Sequence, residues 1–420
     1  MLLSRSDAEI LAHVRARLGG DLPTTRLGVA VSGGGDSVAL MHILSRCFAE
    51  KPVALHIATV DHGLRPEAAA EAETVAAMAH RLGLPHDTLR WVDRDPGGNL
   101  QDQARQARYR LLRDWARGLA LDAVALGHTA DDQAETVLMR LARSSGVDGL
   151  SAMSTQKTLF GLNVIRPLLD LTREDLRSYL RQQGMTWIED ASNDDPRFER
   201  VRVRAALVQL NALGLTTPAL AGVAANMSQA RKALDHGAYQ AAGDVLRMDG
   251  GDIVLDAEGF RDLPRETARR ILVRGLIWIG GGAHPPRRAA TQHALNAIRN
   301  GREMTLAGCR ILCQRGTIRL CREYAAVRRM RVASSECWDG RWHALGNSGQ
   351  GIELAALGAS GLMQCPDWRA TGRPRAALMA TPGLWHNDRL IAAPTAGWPQ
   401  GWALQIDCGR GTFRSSLLSH

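Results

Sequence analysis

Nine consecutive residues carry the clearest chemical signal in this chain: Val29-Ala30-Val31-Ser32-Gly33-Gly34-Gly35-Asp36-Ser37. An apolar strand runs into three glycines, and a helix opens at Asp36-Ser37. Glycine lets a backbone turn sharply and bring its N–H groups close to an anion. The helix adds the positive end of its dipole at the same point. Together they make a phosphate cradle. No Lys-Ser or Lys-Thr follows the last glycine, so the cation that a Walker A loop offers to the terminal phosphates is missing. A kinase or GTPase reading is disfavoured on that ground.

Three further clusters could do chemistry. Gly127-His128-Thr129-Ala130-Asp131-Asp132-Gln133-Ala134-Glu135-Thr136 follows a strand and opens a helix. Its carboxylates can cap that helix, each worth roughly 0.3–1 kcal/mol. They can equally hold Mg²⁺ or orient an amine, with His128 near the phosphates. In Asp61-His62-Gly63-Leu64-Arg65, Arg65 either reaches a phosphate or is merely solvated. The stretch Trp187 to Arg200 is an acidic, polar loop, with Ser192, Asn193 and Asp194 suited to a turn and cap. It leads into a basic helix carrying Arg200, Arg202 and Arg204.

The elements that position these clusters alternate. Apolar strands are expected over Arg26–Ser32, Val53–Val60, His86–Val92, Asp122–Gly127 and Asn163–Leu168. Helical patterns fall between them at Ser37–Phe48, Glu67–Leu82, Leu100–Gly118 and Asp131–Arg143. Strands buried on both faces and joined by helices imply a parallel, Rossmann-like α/β sheet. In such sheets ligands sit beyond the carboxyl ends of the strands, where the strand order switches. The polar clusters all follow strand ends.

In order and spacing, Ser32–Ser37, Asp61–Arg65, Ala104-Arg105 with Arg108-Tyr109, Gly127–Thr136, Arg166-Pro167 and Glu189–Asn193 resemble the tRNA(Ile)-lysidine synthetases, members of the N-type ATP pyrophosphatase (PP-loop) group. The match is strong over about 20–210 and continues weakly to about 325, where Met304–Cys309 and Leu320–Glu323 look like the end of a tRNA-binding domain. The resemblance implies a ligase that joins free L-lysine to C2 of the wobble cytidine of an isoleucine tRNA with a CAU anticodon. The cost is ATP split to AMP and pyrophosphate through an adenylated tRNA, and the product reads AUA as isoleucine. It implies ATP contacts at Ser32, Gly33, Gly34, Gly35, Asp36, Ser37, Asp61, His62 and Arg65, with Mg²⁺ on Asp36. Catalysis falls to Asp36, His128, Asp131, Asp132 and Glu135. Substrate contacts fall to Arg105, Arg108, Asp132, Glu135, Asp190, Asn193, Arg200 and Arg204. The family often has Arg-Asn after the acidic loop, whereas this chain has Arg200-Val201.

Length and composition bound the rest. At 420 residues the chain calls for two or three domains: 1–205 as the adenylating PP-loop domain, 206–330 as a helical, basic tRNA-binding domain, and 331–420 as a small β-rich domain. With 45% apolar and 23% charged residues it is composed like a soluble globular protein. No run approaches a membrane-spanning length and the start reads as a helix entry, so no membrane association is expected. Seven scattered cysteines suit the reducing cytoplasm. The formal charge of +9 permits a nucleic-acid partner. The oligomeric state is left open, a dimer being one option.

Beyond Arg204 the alternation stops. Leu207–Val245 reads as a helix, and Arg265–Arg274 as an amphipathic helix with a basic face continued by Arg287, Arg288, Arg299 and Arg302. Arginine-bearing helices can track phosphates. Cys309, Cys313 and Cys321 lie on alternating strands rather than at metal-ligand spacing. The tryptophans from Trp338 to Trp402 suit core packing of a small β domain. A tRNA-thiolating enzyme would need paired cysteines, and the first domain has Cys47 alone. A non-catalytic tRNA binder would not need an intact Ser32–Ser37 loop. An amidotransferase-type ligase would leave the basic second half unexplained.

Overall fold

A computed structural model describes residues 5–19, 25–49, 53–93, 97, 100–189, 197–282, 284–346, 351–406 and 412–418. The chain forms two compact units, Met1–Arg231 and Lys232–Ser419, divided inside the helix Thr217–Val245. The finer division expected from the sequence stands as a proposal.

In the first unit, α1 (Asp7–Leu18) precedes β1 (Arg26–Ala30), α2 (Gly35–Phe48), β2 (Ala54–Asp61), α3 (Ala68–Arg81), β3 (His86–Arg90), α4 (Leu100–Gly118) and β4 (Ala123–Leu126). Next come α5 (Ala130–Ala142), α6 (Val147–Leu150), β5 (Gln156–Leu159), β6 (Leu162–Ile165), α7 (Arg173–Gln182), α8 (Glu199–Leu210) and α9 (Thr217–Val245). The sheet order is β3-β2-β1-β4-β6-β5, parallel except for the antiparallel β5–β6 hairpin. All four residues of β4, and every residue of β1 after Arg26, are buried. One face packs Val29, Ile57 and Ala125 against α2 and α7 residues such as Leu40, Ile43 and Leu180. The other packs Ala30, Val124 and Leu126 against Leu112 and Trp115 of α4.

The strand order runs one way from β1 through β2 to β3 and the other way to β4. The switch point therefore lies between β1 and β4, and a crevice opens beyond their carboxyl ends. Into it run the glycine turn and the Gly127 turn. A Cβ on Gly127 would stand 3.0 Å from the Asp36 carbonyl oxygen, so glycine is what lets these two turns meet. The expected Leu207–Val245 helix is broken: Gly214 adopts φ 82° between α8 and α9. Among the described residues no single helix is long and apolar enough to cross a membrane.

The second unit holds an antiparallel sheet, ordered β7 (Leu246–Asp249), β8 (Asp252–Asp256), β11 (Thr317–Arg322), β10 (Cys309–Gln314), β9 (Met304–Leu306). The short α10 (Ala257–Asp262) leads to α11 (Arg265–Gly280), whose Ile271 and Leu276 share a core with Ile253, Ile311 and Leu320. The segment expected to be helical thus carries a sheet of its own. Arg270, read as part of a basic face, is buried and donates to Asp235. Arg287, Arg299 and Arg302 are exposed around α12 (Arg288–Arg299). Register places Cys309 opposite Arg322 and Cys321 opposite Arg310, so Cys321 points to the sheet face away from Cys309 and Cys313. Further on come a four-stranded and a two-stranded antiparallel sheet, with Trp338, Trp342 and Trp385 buried.

Candidate active site

The glycine turn is braced from within. The Ser37 hydroxyl donates to the Gly34 carbonyl at 2.9 Å and accepts the Ser32 amide at 3.1 Å. The amides of Ser37 and Val38 also reach the Gly34 carbonyl, both at 3.0 Å. The amides of Gly33, Gly34, Gly35 and Asp36 find no acceptor among the described residues. Gly34, Gly35 and Asp36 line a cavity of ≈ 930 Å³, together with His128, Asp132, Arg173, Arg200 and Arg204. Arg108 and Arg177 also line it and have no carboxylate within ion-pair distance among the described residues. Among the described residues, unpaired amides, a helix N-terminus and two guanidinium groups without a carboxylate partner have the chemistry that suits an anion.

Of the carboxylates, Asp36 and Asp132 line this cavity, and Asp131 and Glu135 line an adjoining one of ≈ 560 Å³ that shares Arg173 and Arg204 with it. Thr129 caps α5 in a capping box with Asp132, whose Oδ2 accepts the Thr129 amide at 2.9 Å. Capping and function share this residue, because Oδ1 of Asp132 faces the cavity and accepts Arg173 Nη2 at 2.8 Å. Glu135, three residues on, is on the same helix face. Its Oε1 accepts Arg173 Nη1 at 2.9 Å and Arg204 Nε at 2.7 Å, while Oε2 is buried without a partner among the described residues. Asp36 Oδ2 accepts Arg173 Nε at 3.3 Å, and Asp131 Oδ2 accepts the Arg173 amide at 2.7 Å. One guanidinium thus gathers three carboxylates, and its own amide takes a fourth.

Arg173 is absent from the sequence expectation. Its signal was present, since Thr172 and Asp175 form a capping box that starts α7 at Arg173. What the sequence does not carry is the tie between helix starts, the Ala130 amide donating to the Leu171 carbonyl at 2.8 Å. That tie brings α7 against α5.

Burial raises the Asp36 pKa to about 6; Arg173 opposes this and the neighbouring Asp132 and Asp131 add to it. Burial would raise Asp132 too, but Arg173 overrides it and the net shift is downward. His128 is pushed well down by burial, helped by Arg166, Arg108 and Arg200 and opposed by Asp132. Its imidazole is neutral at pH 7, with a buried Nδ1 that has no partner among the described residues. A neutral ring nitrogen is a potential proton acceptor.

The remaining expected residues fall as follows. His62 and Arg65 line a second cavity of ≈ 380 Å³ that shares Ser32, Gly34, Arg108 and Ile188 with the first. Arg65 is held there by Glu71 at 2.8 Å. Asp61 shapes its turn by accepting the Gly63 amide at 2.7 Å, and it lines neither cavity. Arg105 is exposed over the Tyr109 ring, 5.3 Å from its centroid, outside both cavities. Arg200 lies 4.0 Å from Asp132, and Val201 is beside it on the cavity wall. Asp190 and Asn193 lie outside the described residues.

Residues 7–211 match the PP-loop domain family. A tRNA(Ile)-lysidine synthase of Ruegeria pomeroyi is 53% identical over 420 residues, covering 100% of both chains. The chain belongs to the tRNA(Ile)-lysidine synthase family. Family members from Methylobacterium nodulans (46% identical, covering 62% of this chain and 77% of that one) and Wolbachia pipientis (35%, covering 79% and 80%) agree. The PP-loop match spans the glycine turn, the Asp36–Asp132–Glu135 wall, Arg173 and Arg204. It is an ATP-binding, tRNA-modifying ligase family, and the resemblance drawn from the motifs holds.

Proposed function

We propose that this chain ligates free L-lysine to C2 of the wobble cytidine of the CAU-anticodon isoleucine tRNA, using ATP and passing through an adenylated tRNA. The observation that carries this reading is a cavity lined by loop amides with no acceptor and by Arg108 and Arg177 with no carboxylate partner among the described residues, with Asp36 and Asp132 on its wall and Arg173 tying them to the buried Glu135 of an adjoining cavity. The amide side suits a triphosphate. The acidic side suits an amine.

In the first step the cytosine O2 attacks the α-phosphorus and pyrophosphate leaves. The loop amides, with Arg108 and Arg177, stabilise the charge building on the leaving oxygens. Asp36 fits a divalent cation as a hard oxygen donor at the mouth of the glycine turn, lining the cavity beside the loop amides. When bound, Mg²⁺ on Asp36 would supply Lewis-acid neutralisation of phosphate oxygens. In the second step the lysine ε-amine attacks C2 and AMP leaves. A lysine side chain has a pKa of about 10.4, so it arrives as ammonium and must lose protons to attack. Oε2 of Glu135 and Oδ1 of Asp132 can hold the ammonium as it sheds its proton, and neutral His128 lines the same cavity as Asp132. The product tRNA would read AUA as isoleucine.

The exposed Arg287, Arg299 and Arg302 of the second unit suit phosphate contacts with the tRNA. In the finer division proposed from the sequence, 206–330 would bear the tRNA and 331–420 would form the small β-rich domain. The cytoplasm, where tRNA, ATP and free lysine coexist, is the compartment this reading requires. The test is labelled-lysine incorporation into unmodified isoleucine tRNA. Equal yields of lysine-bearing tRNA, AMP and pyrophosphate support the proposal; ADP as the nucleotide product contradicts it.

A further inference from the structure

The glycine turn has a weakness that its neighbours correct. The peptide joining Gly33 to Gly34 has glycine on both sides, and two glycines leave a peptide plane freer to rotate than any other pair. Rotated one way, it presents the Gly34 N–H to an anion. Rotated the other way, it presents the Gly33 carbonyl, which repels a phosphate. Nothing inside the turn decides between them: the internal bonds brace the Gly34 carbonyl and the serines, not the Gly33 carbonyl.

The decision comes from Trp187-Ile188, in the chain beyond α7. The Ile188 amide donates to the Gly33 carbonyl at 2.9 Å. A trans peptide is planar, with its C=O and N–H on opposite sides. The tie therefore turns the Gly34 N–H away from Ile188, and Gly34 lines the cavity. Side chains seat the segment. Ile188 Cδ1 stands 2.6 Å from where a Gly33 Cβ would be, with Gly33 at φ 90°, and the Trp187 ring lies 3.5 Å from where a Gly35 Cβ would be. Trp187 also packs on the core beneath α2.

We propose that Trp187-Ile188 is a positioning strap for the phosphate cradle, its Ile188 amide locking the Gly33–Gly34 peptide in the anion-accepting orientation. This rests on the reading of the loop as the ATP phosphate site. The strap acts on the triphosphate, not on the nucleoside. It touches no reacting atom, so Ile188 is a positioning residue.

The cleanest perturbation replaces Ile188 by its α-hydroxy acid, converting the amide N–H to an ester oxygen while keeping the side chain. Ile188→Pro removes the same N–H, and Ile188→Val keeps it. Equilibrium binding of ATP and of AMP is measured for each. Loss of one such hydrogen bond predicts ATP binding weaker by about tenfold in the ester and proline forms, with AMP shifted by less than about twofold. Ile188→Val recovers most of the ATP affinity that Ile188→Pro loses. An ester form that binds ATP like the unmodified protein overturns the strap, as does a parallel loss of ATP and AMP. If the unmodified protein itself binds no ATP, the nucleotide-site reading falls and the strap with it. If it binds ATP and the ester form matches it, the strap alone falls.

Discussion

Removing the Arg173 guanidinium should unbalance the acidic wall more than any other single change. Arg173 contacts Asp36, Asp132 and Glu135 at 3.3, 2.8 and 2.9 Å, and the side chains of Asp132 and Glu135 are only 7% and 1% exposed. In Arg173→Met, Glu135 keeps Arg204 at 2.7 Å, but Asp132 is left with Arg200 at 4.0 Å and Asp36 has no cation within ion-pair distance among the described residues. Breaking a buried pair by removing one partner costs about 3–5 kcal/mol; Arg173 is one-fifth exposed and Glu135 stays paired, so about 3 kcal/mol is expected here. For a unit of this size that lowers Tm by roughly 6–12 °C. The deficit should shrink as pH falls. Without Arg173, Asp36 rises further above its ordinary value and Asp132 loses the main cation that holds it down, so the folded variant takes up protons on acidification and regains stability relative to the parent. Thermal unfolding of both proteins at pH 8 and pH 5.5 is the assay. A Tm within about 2 °C of the parent at pH 8, or a deficit that does not narrow at pH 5.5, would refute the reasoning.

Asp36 titrates near pH 6 in the folded chain, so kcat/KM for ATP should fall about tenfold per pH unit below that point if its carboxylate must be ionised to act. A profile flat down to pH 5 contradicts this. Because its folded pKa lies above the ordinary carboxylate value, this group's contribution to stability is lost as pH rises through 4 to 6. Asp36→Asn should therefore melt higher than the parent at pH 8 while losing turnover, as differential scanning calorimetry beside an activity assay would reveal. Glu135→Gln should raise KM for lysine by about tenfold or more and spare pyrophosphate release in the first step, since it removes a charge facing an ammonium. Lost pyrophosphate release with unchanged lysine affinity would reverse that assignment. The pair Arg299→Gln and Arg302→Gln should weaken tRNA binding at all sequences and reduce the salt slope by about 1–2. An unchanged slope would remove this face from the tRNA footprint.

The loop and the acidic helix start were legible because their chemistry is local: strand, turn and helix dipole lie within a dozen residues. Strand positions followed for the same reason, each apolar run being bounded by polar turns. Arg173 and Ile188 were not legible, because what matters is where α7 and the chain beyond it return, through ties such as Ala130 to Leu171 and Ile188 to Gly33. Arg105 and Arg108 look alike in sequence, yet three residues of helix separate them by about 4.5 Å along the axis. Arg108 reaches the cavity, whereas Arg105 ends over Tyr109. Arg270 reads as surface charge until Asp235 is seen beside it. In the second unit β10 and β11 were legible as alternating strands around Cys309, Cys313 and Cys321, whereas β7, β8 and β9, three to five residues long, are too short to show a period.

The most direct test of the account is a two-stage turnover with ATP labelled in its α-phosphate. Incubated with unmodified isoleucine tRNA and no lysine, the protein should release pyrophosphate and leave label on the tRNA. Adding lysine should then discharge that label as AMP while lysine enters the tRNA in equal amount. Pyrophosphate release only when lysine is present, with no labelled tRNA at any time, would contradict the adenylated intermediate on which the division of the site into a phosphate side and an amine side depends.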